Sequence, residues 1–333
     1  MKTIFDWHKA SHWRLAVQWL FFGWCLFLGI QFGLFVRHFE TSSQAGYFSR
    51  PPGVEGFLPI GSLVSLKNWV LTGQFDTVHP AALVLFLTFL VMALLAKKSF
   101  CSFLCPVGTL SEGTWKLGRK LLGRNFRIWR GLDLFLQFIK YALLFFFVKL
   151  ILINMPAAAL KEFLTTPYWA IADVKMLHFF TRMSIISMVV IAALSLLSVI
   201  YKNFWCRYLC PYGALLGLLS MLSPLKISRR QDKCIDCGAC SRVCPAQIDV
   251  QHKKRIHSPE CSGCLTCVSS CPEKGALSMT LWKQPVPGVA FVGIVILLFA
   301  GGVLSGMLGG HWHTSLTYDD YRQLILLASR LGH

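Results

Sequence analysis

The sequence predicts an all-α integral membrane protein that carries a small cytoplasmic α+β domain. Three observations carry that expectation. Apolar residues gather in long blocks, basic residues alternate between the segments that join those blocks, and most cysteines fall in two short runs. Hydrophobic residues make up 55% of the 333 and charged residues only 14%, against roughly 25% charged in an ordinary soluble domain. That is too little charge to cover a soluble surface.

Five apolar blocks are read as transmembrane helices: 15–36, 80–96, 131–155, 184–201 and 286–309. Each is near the ~20 residues that cross the hydrocarbon core of a bilayer. The second and fourth are short, and the aromatic segment after each is expected to complete it. The first block is too long for the apolar region of a signal peptide, and Gln31-Phe-Gly-Leu is a poor cleavage site. It is therefore read as an anchor. Cys25 within it is read as packing.

The net charge of +18 has a pattern. Residues 1–14 (Lys2, Lys9 and Arg14 against Asp6) are net +2, and 97–130 and 202–283 are each net +7. Segments 37–79 and 310–333 are neutral. By the positive-inside rule the N-terminus and both basic segments are cytoplasmic, while 37–79 and 156–183 lie outside. Five spans then put the C-terminus outside. The membrane accounts for the charge, so nucleic acid is not expected as a partner.

The chain also contains a duplication. Residues 100–110 (FCSFLCPVGTL) align with 205–215 (WCRYLCPYGAL), and each copy follows an apolar block and a basic residue. This divides the protein into a membrane domain (1–223) with four transmembrane helices in duplicated pairs, a cysteine-rich domain (224–284), and a fifth transmembrane helix with an outer tail (285–333).

Eight of the thirteen cysteines form the two runs Cys234, Cys237, Cys240, Cys244-Pro245 and Cys261, Cys264, Cys267, Cys271-Pro272. Both have the spacing C-x2-C-x2-C-x3-C-P of bacterial ferredoxins. A cubane offers four irons, and three thiolates on one tight loop reach three of them. The fourth comes from a distant cysteine, which in two-cluster ferredoxins belongs to the other run. The expected ligand sets of two 4Fe-4S clusters are therefore Cys234, Cys237, Cys240 and Cys271, and Cys261, Cys264, Cys267 and Cys244. The small residues Gly238, Ala239, Ser262 and Gly263 are expected to let the backbone approach the sulfides. Disulfides conflict with a cytoplasmic placement, and zinc sites more often pair two Cys-x2-Cys units. Lys233, Arg242, Lys253, Lys254 and Arg255 either raise the cluster potentials or face acidic lipid or a partner.

The duplicated motif supplies Cys101 and Cys105, and Cys206 and Cys210. If helical, an i, i+4 pair has its Cα atoms about 6 Å apart, which suits a disulfide or a shared metal. Pro106 and Pro211 disfavour helical geometry at the preceding cysteine and can open a new helix. The motif then marks a turn from a membrane helix into a cytoplasmic one. A thiolate-bound metal, a redox dithiol, an electron relay and plain packing all remain open for these four residues.

Ionisable residues inside spans are costly and often functional. In the third span Lys140 is a candidate for quinone or proton contact, and an Asp133–Lys140 pair is the structural alternative; Lys149 is expected to snorkel. Outside, Glu55, Asp76 and His79 are possible proton acceptors, and His311 and His313 possible ligands. In the tail, the apolar Leu324, Leu327 and Leu331 suggest a helix lying on the outer surface or docking a partner.

The duplicated motif followed by two ferredoxin runs, over roughly residues 10–284, resembles the NapH/MauN-type membrane polyferredoxins, the quinol dehydrogenase membrane subunits. The resemblance implies a bacterial inner-membrane, oxidoreductase-associated protein that moves electrons between quinone and a redox partner. That partner is a cytochrome c-type, ferredoxin-type or reductase subunit. The fifth span and tail depart from the four spans typical of NapH-like proteins. The outer domains of the related NosR-like and CcoG-like groups are absent. Two other functions stay open: a copper-handling or reducing assembly factor using the four motif thiols, since soft thiolates suit Cu(I), and a membrane anchor for a ferredoxin-dependent enzyme. The direction of electron flow depends on the cluster potentials.

Overall fold

The computed structural model describes residues 10–41 and 45–328. Lys2, Asp6, Lys9 and Leu331 lie outside the described residues.

All five apolar blocks are helical. They form Ala10–Glu40, Pro80–Ala96, Arg130–Val148 continued by a π-helical turn Lys149–Asn154, Ile185–Ile200, and Gly288–Leu308. Three of them, Ala10–Glu40, Arg130–Asn154 and Gly288–Leu308, are long and apolar enough to cross a membrane alone. Ile185–Ile200 makes a fourth if joined to Ala172–Thr181 across a 77° bend. Pro80–Ala96 has 17 residues, about 25 Å of helix, and is shorter than the ~30 Å core. The protein is thus mostly helical, with three or four candidate spans and a small sheet.

The aromatic segments do not complete the two short helices as expected. Left-handed backbone at Lys97 (φ 63°) and Asn203 (φ 53°) follows each, and the segments form separate one-turn helices, Ser99–Phe103 and Phe204–Tyr208. A second helix then starts at a proline in each copy, Pro106–Leu122 and Pro211–Ser220. Proline suits this first position because the N–H it lacks has no partner there.

Contacts divide the chain into two compact units. The first joins the start of helix Ala10–Glu40, up to Phe22, with Phe89–Leu144 and Ile191–Ala300. The second joins Gly23–Thr88, Phe145–Val190 and the tail from Gly301. The cysteine-rich segment thus groups with the duplicated motifs, and each of the five passages between units falls inside one of the five helices.

In the first unit, β1 (Leu225–Arg229), β2 (Leu277–Leu281) and β3 (Gln284–Val286) form an antiparallel sheet with β2 central. Leu225 and Ile227 of β1, and Leu277 and Met279 of β2, are buried at every second position, as residues on one face of a strand are; the polar Lys226 and Thr280 are buried as well. Arg229 pairs with Leu277 at one end of the ladder, and the Arg230 N–H donates to the Ala276 carbonyl at 2.9 Å. This pairing brings the start of the first cysteine run beside the end of the second.

The second unit has a polar core. Arg50 donates to Glu55 at 2.7 Å and to Asp173 at 2.7 Å, and both carboxylates are fully buried. His79, also fully buried, lies 3.5 Å from Glu55. Asp76 accepts from Ser65 at 2.6 Å and from the Trp169 indole at 3.2 Å. Glu55, Asp76 and His79 are therefore enclosed. The tail helix Tyr318–Leu327 docks within this unit: Tyr321 and Ile325 are buried in a cluster with Phe35 and Phe39. Its docking face differs from the expected one, because Leu324 is only partly buried and Leu327 is exposed. The aromatic groove on the first helix selects Tyr321 and Ile325. His311 stacks on Phe75, with centroids 4.1 Å apart.

Arg50→Met strands two buried carboxylates without their cation and is expected to lower stability by about 3–5 kcal/mol. Thermal unfolding in detergent reads this as a lower midpoint, and a loss below about 1 kcal/mol would reject the enclosed ion cluster as the centre of this unit.

Candidate metal centres

The two cysteine runs adopt the same backbone path. Left-handed residues stand two and four positions after the first cysteine in each: Asp236 (φ 49°) and Gly238 (φ 70°), then Gly263 (φ 65°) and Leu265 (φ 57°). The third cysteine of each run, Cys240 or Cys267, begins a short helix at its second position. Alternating right- and left-handed residues turn successive N–H groups toward one concave side, a form suited to an anion. Glycine takes this backbone freely, whereas Leu265 and Asp236 hold it against a cost of about 1–2 kcal/mol. Gly238 and Gly263 also leave room for neighbouring side chains, Gln251 and Arg242 at the first and Phe291 and Lys97 at the second. Asp236 and Leu265 do not stand out by residue type, and aligning the runs with each other is the signal that finds them.

Two cavities open at these loops. Cys234, Cys237, Cys240 and Cys271 line one, beside Ile235 and Leu277. Cys244, Cys261, Cys264 and Cys267 line the other, beside Ile227 and Ile256. In each, three thiols come from one run and the fourth from the other, and all eight cysteines are free. Burial pushes the Cys244 thiol up to about 12, and neighbouring cysteines add to the shift. A thiol so placed stays protonated at neutral pH until a metal displaces its proton. In both cavities the four convergent thiols and the apolar walls fit an iron–sulfur cubane.

The second cavity lies against the duplicated motifs. Ser102, next to Cys101, donates to the Ser262 carbonyl at 2.8 Å. The Lys97 ammonium donates to the Ile256 carbonyl at 3.2 Å. Arg207, next to Cys206, donates to the Ala246 carbonyl and pairs with Asp133 at 2.8 Å. The first cavity is more open, with Cys237 exposed and Ile235 60% exposed.

Lys140 is fully buried and pairs with Glu260 at 2.6 Å, and Tyr141 donates to the same carboxylate at 3.0 Å. The alternative Asp133–Lys140 pair does not form, because each has a closer partner: Arg207 for Asp133 and Glu260 for Lys140. Lys140 thereby ties the third apolar helix to the residue before Cys261. Burial would raise the Glu260 pKa, but Lys98 and Lys140 outweigh it and hold the carboxyl below its usual range.

Further cations stand beside the cysteines, and among the five expected ones Arg242 reaches the first loop, its guanidinium 3.0 Å from where a Cβ on Gly238 would lie. Lys97 acts on Cys261 and Lys202 on Cys244, while Arg229 acts on Cys234. Lys233, Arg242, Lys253 and Lys254 are exposed, and Arg255 donates to the Pro224 carbonyl at 3.1 Å.

Cys101, Cys105, Cys206 and Cys210 are partly buried and unbridged. Cys101 and Cys206 sit within the one-turn helices, while Cys105 and Cys210 are extended caps of the helices that follow. Neither pair therefore shares one helix.

A family model described as a 4Fe-4S binding domain matches twice, at residues 78–125 and 182–230. Another, a 4Fe-4S dicluster domain, matches residues 226–272. The chain is 43% identical to the Escherichia coli (strain K12) protein YccM, whose name proposes electron transport, over 98% of this chain and 94% of that one. It is 25% identical to the ferredoxin-type protein NapH of the same organism, over 84% and 93%. It is 27% identical to the methylamine utilization ferredoxin-type protein MauN of Paracoccus denitrificans, over 50% and 54%. No solved structure matches.

The crossed lining of the two cavities makes a sharp prediction. Cys271→Ser should reproduce the iron loss and altered EPR signal of Cys237→Ser, and Cys244→Ser those of Cys264→Ser. A Cys271→Ser protein that instead resembled Cys264→Ser would overturn the assignment.

Proposed function

Because the chain belongs to the NapH/MauN-type polyferredoxins, we propose that it passes electrons between the membrane quinone pool and a redox partner. In this reading it is the quinol-oxidising membrane subunit of a larger oxidoreductase system in the bacterial inner membrane. All five apolar helices span, the N-terminus and the cysteine-rich segment are cytoplasmic, and the C-terminus is outside. The alternation of basic and neutral segments supports this orientation.

The observation that carries the proposal is the pair of four-cysteine cavities with unlike surroundings. Cys244, Cys261, Cys264 and Cys267 would hold one 4Fe-4S cluster, and Cys234, Cys237, Cys240 and Cys271 the other. When bound, such a cluster takes up and returns one electron at a time, which divides the two-electron oxidation of a quinol into single steps. The remaining work belongs to the chain. Lys140 and Ser102 fix the Cys261 loop against the helices, Lys97 places positive charge beside Cys261, and Lys202 places it beside Cys244. Exposed Ile235, beside exposed Cys237, offers an apolar contact to a cytochrome c-type, ferredoxin-type or reductase partner.

Anaerobic mixing of the oxidised, purified protein with a quinol analogue tests the reading. The expected result is bleaching of the visible absorption together with a reduced-cluster EPR signal. If dithionite-reduced protein is instead reoxidised by quinone while quinol leaves oxidised protein unchanged, electrons run the opposite way. Silence in both directions removes quinone from the function.

Lys97 gives a second test. Positive charge favours the reduced, more negative cluster, so Lys97→Met should make one of the two midpoint potentials more negative in an EPR-monitored titration. Lys97→Arg should largely preserve it. Equal effects of Lys97→Met on both potentials would refute the placement of this charge at one site.

A further inference from the structure

Residues 97–130 carry eight basic side chains against one acidic one, Glu112. That carboxylate is already taken, by Arg14 at 2.7 Å and by Lys116 at 2.5 Å. Among the described residues, Arg119, Lys120, Arg124, Arg127 and Arg130 form no ion pair, and all five are exposed. Folding concentrates this charge further. The Lys202 ammonium lies over the Trp115 ring, 5.3 Å from its centroid, and the Asn125 side chain donates to the Trp115 carbonyl at 2.9 Å. Lys202 thus shares Trp115 with the loop that bears Arg124 and Arg127. Arg119 and Arg127 both repel its ammonium, and its neighbour of opposite sign is Cys244. A Cys244 thiolate would offset only one of these three charges.

The cluster lies where three apolar helices end. Helix Pro106–Leu122 follows Pro80–Ala96 and leads through a short loop into Arg130–Val148. A Cβ on Gly118 would collide with the Val199 carbonyl, and the Phe126 N–H donates to the Ile200 carbonyl at 3.1 Å. The helix and its loop therefore pack on the last turn of Ile185–Ile200. Exposed apolar residues interleave with the cations: Leu117, Leu121, Leu122, Phe126 and Trp129, the last 80% exposed. Tryptophan at the end of an apolar helix is typical of a membrane–water interface, and a helix that exposes both basic and apolar residues lies along one. An acidic protein would match the cations alone. A layer that is anionic outside and hydrocarbon within matches both sets.

We infer that Arg119, Arg127 and Lys202 form a binding site for the phosphate of an anionic phospholipid, with the neighbouring Leu121, Phe126 and Trp129 in the acyl region. Guanidinium groups suit the task, because their planar fork donates two parallel hydrogen bonds to one phosphate. The site holds a lipid at the foot of three apolar helices and beside the Cys244 side of the enclosed cavity. This inference rests on the reading that the apolar helices span the membrane, and is independent of quinol oxidation and of the clusters.

The test is lipid selectivity. Fluorescent short-chain phosphatidylglycerol or phosphatidylcholine is titrated into full-length protein in neutral detergent, and alkaline extraction of membranes containing the protein is run in parallel. The expected result is tighter binding of phosphatidylglycerol, weakening as salt is added. R119Q/R127Q should weaken it about fivefold for each charge removed. R119K/R127K should keep most of the affinity, which guards against misfolding, and K253Q/K254Q, exposed cations elsewhere, should leave it unchanged. Equal binding of the two lipids overturns the inference. An affinity indifferent to R119Q/R127Q also overturns it and leaves the cations to an acidic protein. Equal losses in R119Q/R127Q and K253Q/K254Q reduce the effect to net charge and overturn the site. A protein released by alkaline extraction fails the spanning reading and the site together, whereas one that stays inserted without lipid preference fails the site alone.

Discussion

Four thiolates must converge on one cubane, and a short loop delivers only three of them. That constraint organises the cysteine-rich segment. The chain meets it by exchanging the last cysteine of each run, Cys271 for one cavity and Cys244 for the other. Exchange is possible only if the two runs stay side by side, and the β1–β2 ladder keeps them so through the Arg229–Leu277 pair. The same constraint reaches the backbone. Left-handed residues recur at identical positions in both runs even where the side chain is leucine or aspartate. Strain of this kind persists where surrounding structure over-determines it, and its recurrence at the same positions of both runs ties it to the cysteine spacing.

Buried charge then fixes the helices to that segment. Arg14 of the first helix forms a paired bond to Glu112, 2.7 Å for each arm. Burial alone would raise the Glu112 carboxyl, yet Arg14 and Lys116 hold it at about 2. Lys140 reaches Glu260, and Asp133 reaches Arg207. Such pairs add little net stability, because desolvation offsets most of their attraction, but breaking one is costly. Their value is positional. Glu260 precedes Cys261 and Arg207 follows Cys206, so these two pairs anchor cysteine-bearing turns.

Much of this was legible because it is local. Apolar blocks mark helices by length, cysteine spacing marks the runs, and the prolines mark where the second helix of each copy begins. What escaped reading depends on distant partners. Asp133 and Lys140 lie seven residues apart and invite pairing, but their partners are 74 and 120 residues away. Lys97 and Lys202 were visible as basic residues at the ends of apolar blocks. Only the fold sets them beside Cys261 and Cys244. In the tail helix, leucine spacing suggested one face, and the aromatic residues of the first helix selected another.

The two runs share a spacing but not an environment, and the difference has an electrostatic consequence. A site enclosed by protein disfavours the extra negative charge of reduction, because burial removes water that would solvate it. The cavity with Cys244, Cys264 and Cys267 is of this kind, since all three are buried. Solvent reaches the other cavity at Cys237. Left alone, this contrast would separate the potentials of any clusters held at the two cavities, and for one electron each ~59 mV of separation shifts the equilibrium tenfold. Lys97 and Lys202 stand at the enclosed cavity, where a cation opposes the effect of burial. Arg229 acts on Cys234 at the exposed cavity, so each cavity has a cation beside it and access of water is the contrast that remains between them.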